Sequence, residues 1–141
     1  MSNRLKISKE ASEQLDYLSN RLDLRRNIVC RLAIGRSLAK KEPVKNIKPK
    51  DSAGYEFNRY TLTGDYDDIF RALVKQHERK KLNEREYFSK FLRNHIERGI
   101  QLLYIEYQKI NSPIDFFAYL FKSDKKKEKL DKPFDLQPRS E

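Results

Sequence analysis

The sequence predicts a mainly α-helical domain in which two short antiparallel strands lie over a four-helix core. Three observations predict it. Residues 4–8 (Arg-Leu-Lys-Ile-Ser) alternate polar and apolar, the period of a half-buried strand. Apolar residues then recur at three-to-four spacing in successive windows, the period of helices that bury one face. Finally, the order strand, helix, helix is met again from residue 56 onward, with Leu5 to Ser8 aligning on Tyr60 to Thr63 at an offset of 55.

In the first strand Leu5 and Ile7 point inward, and Arg4 and Lys6 outward. Ser8 is placed to cap a helix whose inner positions are Ala11, Leu15, Leu18 and Leu22. Asp23 or Asn27 starts a second helix with Ile28, Leu32, Ala33 and Leu38 inside; Lys40 and Lys41 suit its C-terminal dipole and Pro43 stops it. Residues 44–54 form a basic loop. Glu56 to Thr63 is rich in β-formers, with Asn58, Tyr60 and Leu62 on the inner face and Arg59 and Thr61 outside. After the turn at Gly64, Asp65 caps a helix with Tyr66, Ile69, Phe70, Leu73 and Val74 as its buried stripe. Asn83 with Glu86 is a capping-box signature. The long helix that follows carries Tyr87, Phe88, Phe91, Leu92, Ile96, Ile100 and Leu103 to about Ile110, and Pro113 restarts the chain as a short segment. This is the order of ribbon-helix-helix proteins, whose ribbon usually comes from two chains; here one chain could supply both halves. The expected division is a domain over residues 1–121 and a charged tail over 122–141, solvated or helical to Leu130.

Composition narrows the function. The chain has 141 residues, 31 Lys plus Arg against 21 Asp plus Glu, one Cys and two His. Residues 1–121 hold 24 basic and 16 acidic side chains, so the body keeps about eight of the ten net positive charges. That balance points to a polyanion, with nucleic acid first. One Cys excludes a disulfide scaffold. No apolar run spans a bilayer and MSNRLKISKE has no signal-peptide core, so a cytoplasmic protein without membrane contact is expected.

No constellation supports catalysis, a cofactor or a metal. His77 and His95 lie on different helices and read as structural, with no carboxylate or thiol counted at ligand spacing. Asp65, Asp67 and Asp68 read as capping and dipole residues. The glycines form no phosphate loop. Cys30 lies near Arg25, Arg26 and Arg31, which could activate a thiol, but a small buried packing residue is the simpler reading. The basic residues form three sets expected to contact DNA. Arg4, Lys6 and Arg59 lie on the ribbon; Arg79, Lys80, Lys81 and Arg85 lie at a helix junction; and Arg25 and Arg26 go with Lys45, Lys48 and Lys50. Six of the sixteen Tyr and Phe residues crowd into the end of the body: Tyr104, Tyr107, Phe116, Phe117, Tyr119 and Phe121. They are expected to form an oligomer interface, the alternative being a segment folded back on its own core.

Three strings carry a family resemblance. Asn27-Ile28-x-x-Arg31-Leu32-Ala33-x-x-x-Ser37-Leu38 followed by Glu42-Pro43 resembles the first half of the DndE family of DNA sulfur-modification proteins. The most specific string is Gly54-x-Glu56-Phe57-Asn58-Arg59-Tyr60-Thr61-Leu62-Thr63-Gly64-Asp65-Tyr66-Asp67, and Phe91-Leu92-Arg93-Asn94-His95-Ile96-Glu97-Arg98-Gly99 is similar to the family's helix ending in Arg-Gly. Together they cover roughly residues 3–103. The resemblance implies a ribbon-helix-helix-related fold and a non-catalytic homotetramer that binds duplex DNA, preferably nicked, through surface lysines. It also implies sulfur-transfer and ATPase subunits as partners. Two departures stand out: Arg25-Arg26 replace a Thr-Pro tendency, and the segment beyond 121 has no counterpart. A sequence-specific ribbon-helix-helix repressor, reading bases through the strands, and an assembly adaptor are the competing readings.

Overall fold

The structure is a computed structural model that describes the backbone of residues 3–131 and the side chains of residues 3–122. The chain divides into two compact units, the first ending at Ile105 and the second starting at Glu106.

In the first unit β1 (Arg4–Lys6) pairs antiparallel with β2 (Glu56–Asn58), Leu5 opposite Phe57. Both central residues are buried, while Arg4, Lys6, Glu56 and Asn58 face out. Two further bonds extend the ribbon, from Ile7 N to Tyr55 O (3.0 Å) and from Gly54 N to Ile7 O (2.9 Å). Gly54 is required by contact: a Cβ there would lie 2.1 Å from Ser12 Oγ and 2.2 Å from the Ser8 carbonyl oxygen. Ser8 caps α1 (Lys9–Leu22), its hydroxyl accepting from Ala11 N, and Ala11, Leu15, Leu18 and Leu22 are buried as the spacing requires.

The remaining helices of this unit are α2 (Arg26–Leu38), the one-turn α3 (Arg59–Leu62), α4 (Asp67–Glu78) and the part of α5 (Arg93–Ile110) up to Ile105. A 3₁₀ turn (Gly64–Tyr66) leads into α4, and a π-helical stretch (Glu86–Leu92) leads into α5. The capping box is formed in both directions: Glu86 N donates to Asn83 Oδ1 (2.8 Å) and Asn83 N to Glu86 Oε1 (3.2 Å). The core joins Leu5, Ile7, Leu15 and Leu18 with Val29, Ala33, Ile34, Leu62, Val74, Tyr87, Phe88, Phe91, Leu92, Ile96 and Ile100.

Four local expectations are corrected. The second strand stops at Asn58, because the Asn58 side chain accepts from Tyr60 N and caps α3; the chain then turns helically, leaving Tyr60 79% exposed. In α2 the buried residues are Val29, Cys30, Ala33, Ile34 and Ser37; Ala33 was expected, but Ile28, Leu32 and Leu38 are only half-buried. Its N-cap is Arg25, without a side-chain bond, because Asp23 closes α1 in the left-handed conformation and the Asn27 amide is turned to the Thr61 carbonyl (3.1 Å). In α4 only Val74 is fully buried; Tyr66, Ile69 and Leu73 are exposed, and Asp65 makes no cap.

In the second unit Asn111, at positive φ, ends α5, and Pro113 opens α6 (Pro113–Asp131) at the position where a missing N–H is harmless. This helix is longer than the short segment expected. Tyr107 and Phe116, two of the residues expected at an oligomer interface, pack edge to face at 5.3 Å and are buried. Phe117 lies beside Phe116, Tyr119 donates its hydroxyl to Glu106, and Phe121 is 77% exposed. Within the first unit Tyr104 stacks edge-on against Tyr17 at 5.2 Å. Residues 132–141, the end of the expected tail, lie outside the described residues.

Candidate nucleic-acid interface

The start of α5 is a row of polar residues facing inward, each with a task. The Asn94 amide donates to the Val44 carbonyl (2.8 Å). Glu97 accepts from Ser8 N (2.7 Å) and Ser8 Oγ (3.0 Å) at the mouth of α1. Arg98 donates to Ser37 Oγ, to the Ser37 carbonyl and to the Glu42 carbonyl at 2.7–2.8 Å, closing the C-terminal end of α2. Gly99 lets the two helices touch: a Cβ there would sit 1.8 Å from the Ala33 carbonyl oxygen. The Arg-Gly string thus holds α2 and the loop after it in place.

Beside this row lies a buried polar cluster. His77 Nδ1 is 2.7 Å, and His95 Nε2 3.2 Å, from the same oxygen of Glu78, whose carboxylate also accepts from Val44 N (3.2 Å). The outer nitrogens are held too, His77 Nε2 at 2.6 Å from the Lys40 carbonyl oxygen and His95 Nδ1 at 2.8 Å from Ser37 Oγ. Burial, helped by the charges of His77 and Arg98, pushes the His95 imidazole down to about 3, so it is neutral. The expectation of histidines without a carboxylate nearby is corrected here. Glu78 is next to His77 in sequence, and His95 reaches it only because α4 and α5 pack together.

This cluster decides where the basic residues lie. It ties the end of α4 to residues 40–44, so Arg79 and Lys45 each follow directly on an anchored residue, Glu78 and Val44. Two of the sets that sequence reading kept apart therefore start from one anchor. Lys45, Lys48, Lys50, Arg79, Lys80, Lys81 and Arg85 are exposed and make no ion pair among the described residues. Lys80 and Lys90 both lie over the Phe91 ring, at 5.3 and 5.4 Å, which adds Lys90 to this region. Lys90 and Lys41, both exposed, were not in the expected set; one is far from the other lysines in sequence, and the other reads as a helix-end charge.

The remaining basic residues are placed differently. Lys6 and Arg25 are exposed and make no ion pair among the described residues, whereas Arg4 bonds Glu56 across the ribbon at 2.9 Å. Arg26 is bound to Asp16 (2.8 Å) and lies over the Tyr55 ring. Arg59 does not point outward from the ribbon as expected. Its side chain is 17% exposed and donates to Asp67 (2.7 Å) and Glu84 (3.0 Å), an arrangement that holds its guanidinium well above the usual range. It is a structural cation, turned inward because the strand ends one residue before it. Cys30 is fully buried, and burial pushes its thiol up, the reverse of an activated nucleophile.

A sequence profile described as DNA sulphur modification protein DndE matches residues 4–111, a region that contains all three strings. The chain belongs to the DndE family. Its fold resembles a crystal structure of DndE from Escherichia coli B7A, involved in DNA phosphorothioation modification, with a TM-score of 0.60 at 24% identity, over 71% of this chain and 96% of that one. A DndE G21/24K mutant involved in DNA phosphorothioation is similar, with a TM-score of 0.56 at 25% identity over 73% and 97%. No curated protein matches the chain in sequence. The family places the protein in DNA phosphorothioation, and no helix among the described residues is long and apolar enough to cross a membrane.

Proposed function

We propose that this DndE-family protein is a non-catalytic subunit of the phosphorothioation machinery that binds duplex DNA through the phosphate backbone. The observation that carries this reading is that two exposed basic segments, one with Lys45 and Lys48 and one with Arg79, Lys80 and Lys81, start from one buried anchor and make no ion pair among the described residues. Such a surface contacts phosphates without reading bases. In this reading the protein works in the cytoplasm as a homotetramer, prefers nicked duplex, and acts beside sulfur-transfer and ATPase subunits. Repetition of a modest basic patch around an assembly would strengthen many weak contacts together.

The experiment is a salt titration of duplex affinity. With about five phosphates neutralised, affinity should fall several hundredfold between about 50 and 200 mM salt. Reversing Lys45, Lys48, Lys80 and Lys81 to Glu should flatten that slope, while reversing Arg4 and Lys6 should change it little. No binding at low salt, or binding indifferent to salt, rejects the reading. The repressor alternative is weakened because Arg59, one of its three base-reading candidates, is held inside by Asp67 and Glu84. The adaptor alternative is favoured by a different observation, the exposed apolar side of α4 at Tyr66, Ile69 and Leu73.

A further inference from the structure

We propose that His77, Glu78 and His95 form a binding site for a borderline-soft divalent cation of the zinc class. Three potential ligand atoms, one from each residue, lie within 4.8 Å of one another. Two imidazoles and a carboxylate are a donor set that zinc accepts. Ligands about 2.0–2.1 Å from a tetrahedral ion stand about 3.3 Å apart. The 3.2 Å separation of His95 Nε2 from Glu78 already has that length, and the 2.7 Å separation of His77 Nδ1 needs to open by roughly half an ångström.

The surroundings of the cluster argue further. Metal-bound histidines almost always donate their outer N–H to a protein oxygen, which fixes the ring and the tautomer. Both outer nitrogens here face one, His77 Nε2 the Lys40 carbonyl (2.6 Å) and His95 Nδ1 the Ser37 hydroxyl (2.8 Å). A carbonyl oxygen only accepts, so it holds the Nε2 proton of His77. The Nδ1 lone pair then faces the Glu78 carboxylate, and a cation must stand between two acceptors. A proton can do this; a divalent ion bound by all three residues would do it while releasing the single proton held between His77 Nδ1 and Glu78, because neutral His95, with its one proton on Nδ1 toward Ser37, already offers Nε2 as a lone pair. Because the cluster fastens residues 40–44 to the end of α4, a bound ion would brace the frame beneath the basic segments. The site itself stands on ligand geometry, independently of DNA binding.

The test uses the untagged full chain, which has only two histidines and one buried cysteine to confuse the readout. Metal-free protein is incubated with Zn²⁺ both in the native state and through refolding, so that slow entry is not mistaken for absence. Metal content is then counted, and the ring protons of the two histidines are followed by NMR. We expect one zinc per chain, movement of both imidazole spectra, and tetrahedral d–d absorption when Co²⁺ replaces Zn²⁺. Glu78→Gln, which keeps an acceptor oxygen but loses the charge, should reduce affinity at least tenfold. Zinc content no higher than in Glu78→Gln, or imidazole signals indifferent to Zn²⁺, would overturn the site and leave a proton as the cation in the cluster.

Discussion

Helices α4 and α5 break the rule of apolar inside and polar outside in opposite directions. In α5 the inward surface carries Asn94, His95, Glu97 and Arg98, each hydrogen-bonded to α1, α2, α4 or the loop after α2. In α4 the regular stripe of Tyr66, Ile69 and Leu73 lies at the surface, and the inner side carries Asp67, Arg71, His77 and Glu78. Periodicity reports that a helix has a stripe. It does not report what covers that stripe, since polar groups can be buried when every donor finds an acceptor. Among the described residues no buried side-chain nitrogen or oxygen lacks a partner.

The comparison is broken most forcefully at Gly99. Its Cβ would strike the Ala33 carbonyl oxygen, carbon and Cα at 1.8, 2.4 and 2.8 Å, all of them backbone atoms. Gly99→Ala must therefore push α5 away from α2 and strain the bonds made by His95 and Arg98. We expect a loss of about 3 kcal/mol or more, read by urea denaturation, although alanine has the higher helix propensity. A stability unchanged or raised would mean that the close crossing does not organise the frame.

Next in size is the inner side of α4. Asp67 accepts from Arg59 (2.7 Å) and from Thr63 Oγ1 (2.7 Å). Burial works to raise its carboxyl, but these bonds outweigh it and hold the group below the ordinary range. A carboxylate depressed in the folded state adds stability above its unfolded value, near 3.9, and that stability is lost as pH falls through the lower folded value. Asp67→Asn should cost about 1.5–3 kcal/mol at neutral pH, the usual value for hydrogen bonds to charged groups. The gap between variant and wild type should narrow below about pH 4. A gap that stays constant down to pH 2 would mean that Asp67 does not titrate differently in the two states.

How much of this was legible in the sequence differs between these same regions. Leu5, the Ser8 cap, the α1 stripe and the Asn83–Glu86 box follow from local chemistry, and local chemistry predicts them. The long helix and its apolar residues were legible too. Arg59 was not, because a single side-chain cap at Asn58 ends the strand, and a shift of one residue carries each following side chain to the other face. The His77–Glu78–His95 cluster was half legible, since Glu78 is adjacent to His77, but no sequence spacing foretells that α5 returns His95 to it. Nor does any spacing foretell that His77 and Glu78 bond Lys40 and Val44, which fastens the end of α4 to the loop carrying Lys45 and Lys48.

The smallest effect on stability, and the sharpest test of the contrast, is on the outer side of α4. Ile69 and Leu73 are 57% and 42% exposed. Replacing both with Gln removes little buried surface, so folding should change by no more than about 0.5 kcal/mol. By contrast, Ile96→Gln on the buried side of α5 would place an amide in the core and cost several times as much. If the α4 face serves contact with another subunit, the double variant should keep its fold and its DNA affinity while losing that association, as read by solution mass and by pull-down at high salt. If association persists and folding is untouched, the exposed stripe plays no part in assembly. If folding falls by 2 kcal/mol or more, the stripe is covered within the chain itself and the contrast between the two helices disappears.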